Sequence, residues 1–365
     1  MKILLLAGEQ SGVLYANGIK RHLAASHEVR GYEDYGFSIS DLAVMGLWAV
    51  LKRIGFFLRV KRTMEKAIIE WRPDVVCTID YPGMNLKLAA FAKSRGIRAV
   101  HIVSPQVWAW KKGRIPKIEA SLDKLYCFFP FEPALYKPGF AEFIGHPLVE
   151  QVSHRNQGLS SRVVALLPGS RLSEVERNLP VMLEAANRLK NIKIEIPAAN
   201  PGAKSAIGKI LKRCAKPQSL SITVFDGEAR RVLQRADVAA VASGTATLEA
   251  ALSRCPTVLV YRVGALFAWL VRRFVKEIHP IGLANIIWEK SLPEDKTTPM
   301  PELLQEDFTA DNLSAILEQW LDDPNERSKA IAKLDATCRL LDSRTGSLSY
   351  IASEIETGGK VACAV

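Results

Sequence analysis

The sequence predicts an α/β protein made of two doubly wound domains with parallel sheets. Short apolar runs alternate with longer helical patterns, several of those runs are apolar throughout, and the alternation lapses at a polar stretch before it restarts. A strand apolar at every position suits a sheet covered by helices on both faces, because neither side of it meets water. At 365 residues the chain is also too long for one ordinary core and suits two.

In the first half the strand candidates are Lys2–Ala7, Glu28–Tyr32, Val75–Asp80, Arg98–Ser104, Lys124–Pro130 and Glu142–His146. Ser11–Ala25, Asp41–Glu70, Asn85–Arg95 and Gln106–Ser121 read as the helices between them. The polar segment EQVSHRNQGLSSR, residues 150–162, is the linker candidate. After it, Val163–Leu167, Lys193–Pro197, Ser221–Phe225, Val238–Ala242 and Thr257–Tyr261 read as strands. The expected domains are residues 1–152 and 160–335, followed by a helical segment at 336–365. Two such sheets are expected to face each other across a cleft. Ligands of open α/β sheets bind beyond the carboxyl ends of the strands, so the turns after strands are where chemistry is sought.

Composition narrows the class of protein. Hydrophobic residues make up 48% and charged residues 24%, a globular balance that excludes a disordered chain. The formal charge of +11 suggests a polyanionic partner, whether nucleic acid, an anionic membrane or a phosphorylated substrate, and composition does not choose among them. The six cysteines form no CxxC pair, so neither a zinc site nor a disulfide framework is indicated. The apolar run of MKILLLAGEQSG is too short for a signal peptide, and no stretch reaches the roughly 20 apolar residues that span a bilayer. The expectation is a soluble or peripheral protein in a reducing compartment.

Five segments stand out. AGEQSG (7–12) follows the first strand, and its Ser11 can cap a helix whose amide end attracts anions; a purely structural tight turn explains it equally well. Asp80 ends an apolar strand, where a carboxylate suits either a general base or a helix cap. VSPQVWAWKKGRIPK (103–117) sets two tryptophans among four basic residues, a pattern for stacking a sugar or base beside a phosphate. LPGSR (167–171) and ASGTATLEAA (242–251) are turns of phosphate-binding type, with Arg171 able to neutralise a departing nucleotide and Glu249 able to meet ribose hydroxyls. The stretch Asp41–Lys66 is apolar yet studded with Lys52, Arg53, Arg59, Lys61 and Arg62; it fits a core helix or one lying in a membrane interface.

Taken together, AGEQSG (7–12), LAVMG (42–46), HIVSPQVWAW (101–110), FPFE (129–132), FIGHP (143–147), LLPGSR (166–171), ASGTATLEAAL (242–252), VYR (260–262) and IGLANII (281–287) resemble the bacterial lipid-A-disaccharide synthases, in the family's order over nearly the whole chain. The resemblance implies a GT-B glycosyltransferase of two Rossmann-like domains. It implies transfer of 2,3-diacylglucosamine from UDP-2,3-diacylglucosamine to 2,3-diacylglucosamine 1-phosphate, with a β-1,6 bond formed and UDP released. The first domain would hold the acceptor and carry a membrane-facing segment at 44–62, and the second would hold the UDP-sugar.

Carried onto this chain, the implied catalytic residues are Asp80 as base for the 6-hydroxyl, Arg171 as stabiliser of the departing UDP, and Glu9. Ser11, Gly12, Ser104, Gln106, Trp108, Trp110 and His146 would bind substrate in the first domain. Gly169, Ser170, Ser243, Gly244, Thr245, Glu249, Arg262 and Asn285 would do so in the second. No metal and no cofactor is implied. The implied partners are the two sugar lipids and an anionic inner-membrane surface, on whose cytoplasmic face the protein would sit; nucleic acid is not among them, and a homo-oligomer is left open. The chain departs from the family pattern at Val13 and Gly83, where acidic residues are usual, in a shortened segment 31–38 and in an altered segment 288–301. These departures leave as alternatives another UDP-sugar enzyme of this architecture, such as a muramyl-lipid glycosyltransferase or a UDP-sugar epimerase, and a low-activity paralogue. A non-catalytic protein binding membrane or nucleic acid through its charge would show no UDP release.

Overall fold

The first strand, β1 (Lys2–Ala7), shows how the sequence makes a covered sheet. Pleating sends alternate side chains to opposite faces. Ile3, Leu5 and Ala7 join one apolar cluster, while Leu4 and Leu6 join another on the opposite face. The computed structural model describes residues 1–42, 53–109, 112–150, 162–214, 221–263, 280–342 and 346–358. The chain divides into one unit of Met1–Pro147 with Leu341–Val365, and a second of Leu148–Leu340.

In the first unit β1 lies between β2 (Glu28–Arg30) and β3 (Val75–Ile79), and β4 (Arg98–Ile102), β5 (Lys124–Cys127) and β6 (Ala141–Phe143) follow. The order is β2-β1-β3-β4-β5-β6, parallel throughout. The connecting helices are α1 (Gln10–His22), α2 (Ile54–Trp71), α3 (Pro82–Ser94) and α4 (Ile115–Ser121). Val60, Met64 and Ile68 of α2 pack with Met84 and Leu88 of α3 on the Leu4 face, while Ala16 and Ile19 of α1 cover the Ile3 face.

Two helices differ from expectation. The segment 106–121 is α-helical only from Ile115, after a 3-10 turn at Lys112–Arg114, because Pro116 belongs in a first helical turn and not an interior. Of the helix expected over Asp41–Glu70, the structure gives a single turn at Ile39–Leu42 and then α2; residues 43–52, with Trp48 among them, lie outside the described residues.

The second unit repeats the plan with β7 (Val163–Leu167), β8 (Lys193–Ala198), β9 (Ser221–Asp226), β10 (Val238–Ala242), β11 (Thr257–Tyr261) and β12 (Glu302–Leu304), ordered β12-β11-β10-β7-β8-β9 and all parallel. Val164 and Leu166 meet α5 (Leu172–Ala186), α6 (Pro201–Cys214) and α10 (Ala310–Asp322) on one face. Val163, Ala165 and Leu167 meet α7 (Ala229–Arg235), α8 (Thr245–Leu252), α9 (Leu283–Ser291) and α11 (Pro324–Leu341) on the other.

Beyond α11 the chain is grouped with the first unit. There α12 (Ser347–Thr357) lays Leu348, Ile351 and Ile355 into the core cluster of α1 and β1. Gly18 of α1 makes this approach close, since a Cβ there would collide with the Leu348 side chain.

Candidate active site

The turns beyond β3 and β4 hold backbone strain. Asp80 (φ 48°), Tyr81 (φ 51°) and Val103 (φ 74°) are non-glycine residues in the left-handed region. Such conformations cost on the order of 1–3 kcal/mol each and persist only where the surroundings impose them. Asn85, wholly buried, imposes two of them: its amide donates to the carbonyls of Leu6, Ile79 and Asp80 at 3.2, 3.0 and 2.8 Å, and its oxygen accepts from the Tyr32 hydroxyl at 2.7 Å. The Tyr81 ring then lies against Gly8, where any Cβ would collide with it.

That turn presents two carboxyls. Burial raises the Asp80 carboxyl above its ordinary range, opposed by the Tyr81 amide. Burial and then the charge of Asp80 raise Glu9. The N-cap residue of α3 is Tyr81, whose own side chain makes no cap bond, and the backbone bond at the Asp80 carboxyl is to the amide of that residue. Ser11 does not cap α1: Glu9 is the N-cap residue, without a side-chain cap bond, and Ser11 is an exposed residue of the first turn. Gly12 lets that turn pack on the sheet, a Cβ there standing 3.4 Å from the Ala7 Cβ. Val13 packs against the core cluster of α1, while Gly83 is exposed with open space where a Cβ would stand.

Further along the same edge, Ser104 is buried with its hydroxyl 2.9 Å from that of Tyr136. Gln106 is exposed, Trp108 is half-buried and edge-on to Phe131, and Trp110 lies outside the described residues. The FPFE segment also carries Glu132, a residue to which the sequence alone assigns no role. Its carboxyl is buried and accepts from Trp108 Nε1 at 3.3 Å and from the Phe129 amide at 3.2 Å; burial raises it to about 8. His146 is also interior, its ring packed on Phe128 and Phe129, and burial lowers it to about 3. It belongs to the support of this edge and not to its surface.

In the second unit Gly169 takes φ 117° in the turn after β7. Asn178 donates to the Pro168 carbonyl at 3.0 Å and Asn200 to that of Ser170 at 2.9 Å, so the turn is tied to α5 and to the end of β8. The amides of Ser170 and Arg171, expected to face a phosphate, instead donate to Glu174 of α5 at 3.1 and 3.2 Å. The turn after β10 remains open: Gly244 (φ 150°) and Thr245 are exposed, Ser243 and Glu249 half-exposed, and burial raises the Glu249 carboxyl against the pull of Arg230.

Arg262 and Asn285 are occupied by the fold. Arg262 donates to the Phe308 carbonyl and lies 5.3 Å over the Phe308 ring. Asn285 is wholly buried, giving its amide to the Met300 carbonyl and Glu302 at 2.8 Å each and accepting the Met300 amide at 3.0 Å. Glu302 also accepts the amides of Ile281 and Gly282, so this pair fastens the IGL turn to β12. Among the described residues no group of three or more His, Cys, Asp or Glu could hold a metal ion.

Two parallel six-stranded α/β units with their open turns at the strands' carboxyl ends define the GT-B class of enzyme fold. The same fold appears in Acinetobacter baumannii MurG (TM-score 0.60, 13% identity, covering 98% of this chain and 100% of that one) and in Staphylococcus aureus MnaA, solved with UDP (TM-score 0.62, 11% identity, 98% and 96%). The chain itself belongs to the lipid-A-disaccharide synthetase family, whose sequence model matches residues 3–354. The lipid-A-disaccharide synthase of Xanthomonas axonopodis pv. citri is 35% identical over 393 residues, covering 97% of this chain and 88% of that protein. The chain is thereby a glycosyltransferase.

Proposed function

We propose that the enzyme transfers 2,3-diacylglucosamine from UDP-2,3-diacylglucosamine to the 6-hydroxyl of 2,3-diacylglucosamine 1-phosphate, releasing UDP. The observation that carries the site assignment is Asp80, a carboxylate held on a strained turn at the end of β3 and raised by burial. A base works best when its pKa approaches the working pH, and burial moves Asp80 in that direction. The 6-hydroxyl oxygen attacks the anomeric carbon as its proton passes to Asp80; the bond to the UDP oxygen breaks on the opposite face, which inverts the centre.

The turns after β7 and β10 supply the donor side of this reading. Arg171, with 60% of its side chain exposed, offers a guanidinium to the departing diphosphate, and Glu249 offers a carboxylate to ribose. Diacylated substrates reside in a bilayer, so the acceptor unit must meet lipid. Ile54 and Leu58 of α2 are 56% and 49% exposed, and Arg62 and Lys66 continue that stripe at i,i+4 spacing, a combination that suits the inner face of an anionic membrane. No helix among the described residues is long and apolar enough to cross it. The test is UDP release measured with and without the acceptor: release that depends on both substrates supports transfer, and release indifferent to the acceptor contradicts it.

A further inference from the structure

We infer that Glu174 is a positioning residue of the donor site, holding the Arg171 guanidinium and the turn that carries it. The inference rests on the reading of Arg171 given above. Arg171 is the N-cap residue of α5 and Glu174 is its third helical residue. Glu174 is 7% exposed, and its carboxylate is saturated from one side. Oε2 accepts the amides of Ser170 and Arg171 at 3.1 and 3.2 Å, and Oε1 accepts Arg171 Nη1 at 2.7 Å. A surface ion pair with a single contact is worth little, because two long side chains must be ordered to make it. Here one partner is already fixed by burial and by two backbone donors, so only the arginine remains to be ordered.

Two consequences follow for the LPGSR turn. Its Ser170 and Arg171 amides are committed to Glu174, and the exposed guanidinium is the charged group this turn presents to a phosphate. Gly169 also acquires a different purpose. A Cβ at Gly169 would stand 2.6 Å from Glu174 Oε2 and 2.7 Å from the Glu174 Cβ, so glycine is required there to admit the carboxylate. Arg171 therefore reaches the diphosphate with one nitrogen anchored, and its ordering entropy is spent before the donor binds.

The test is a double-mutant cycle on kcat/KM for the donor, with folding followed by thermal melts. Arg171→Ala should lower kcat/KM about a hundredfold. Glu174→Gln should lower it about tenfold, since groups in contact couple on that scale, and the double variant should be no worse than Arg171→Ala alone. Gly169→Ala should resemble Glu174→Gln and likewise lose its effect in the Arg171→Ala background, which keeps the test available if Glu174→Gln folds poorly. Multiplicative losses in the double variants would overturn the inference while leaving the role of Arg171 intact. Full activity in Arg171→Ala would instead overturn the reading on which the inference rests.

Discussion

The negative charge of Asp80 reaches the Glu9 carboxyl, which its own burial has already raised. The two acids stand at the ends of neighbouring strands, β3 and β1, paired in parallel register from Ile3↔Val75 to Ala7↔Ile79. Neutralising one must therefore be felt by the other. Asp80→Asn should lower kcat by about 10² to 10⁴, leave UDP affinity unchanged and bring Glu9 down toward its ordinary range. In the wild type, activity should fall on the acid side through a pKa above that of an ordinary aspartate. Isothermal titration with UDP and a pH–rate profile check both; loss of thermal stability with unchanged turnover per folded molecule would mean that Asp80 serves the turn alone.

Glu132 gives stability a pH dependence of known sign. Its folded pKa, about 8, lies above the ordinary 4.5, so its contribution is full below 4.5 and is lost as the pH rises through about 8. His101 and His146, lowered by burial to about 3, act in the opposite window: stability falls as the pH drops below their ordinary 6.5. Glu132→Gln removes only the first effect. Its melting temperature relative to wild type should rise between about pH 5 and about pH 8, and a constant difference would show that the fold does not hold this proton.

The return of the C-terminal chain makes a stability prediction. Leu348→Ala should cost about 2–5 kcal/mol, because Leu348 is buried against α1 in the main core cluster of the first unit. Denaturant unfolding measures it. A cost within about 0.5 kcal/mol, as at an ordinary surface position, would show that α12 is not docked on α1.

On α2 the exposed and buried apolar residues separate, which divides membrane contact from packing. Phe56 is edge-on to Phe37 at 6.0 Å and to Phe57 at 5.4 Å, and both phenylalanines pack against the core. Phe56→Ser/Phe57→Ser should therefore melt lower. Ile54→Ser/Leu58→Ser should melt like wild type but sediment less with anionic liposomes. Wild-type binding should weaken with salt, each basic residue contributing roughly 1 kcal/mol before screening. Equal sedimentation of wild type and the Ile54/Leu58 variant would remove α2 from the membrane contact.

The strands were legible because a covered parallel strand is apolar at every position, as in VVALL of β7 or VAAVA of β10. β12 was not: three residues at a sheet edge, Glu302–Leu304, leave no periodicity to read. The docking of α12 on α1 joins residues far apart in sequence, and Gly18, which admits Leu348, does not by itself name that partner. At the site, turns and charged residues could be located but their commitments could not. Glu174 had a readable signal, an acid three residues beyond an N-cap, whereas the burial of Glu132, His146 and Asn285 is decided by distant chain. The strain at Asp80, Tyr81 and Val103 likewise belongs to Asn85 and the neighbouring strands, and not to those residues' own propensities.

Mass spectrometry of the products measures the reaction itself. The enzyme is incubated with UDP-2,3-diacylglucosamine and 2,3-diacylglucosamine 1-phosphate. The expected product is a tetraacyl disaccharide 1-phosphate, accompanied by UDP in equal amount, with both lost in Asp80→Asn. Unchanged substrates, UDP with free diacylglucosamine in place of the disaccharide, or an isomerised donor of unchanged mass would contradict the proposed reaction.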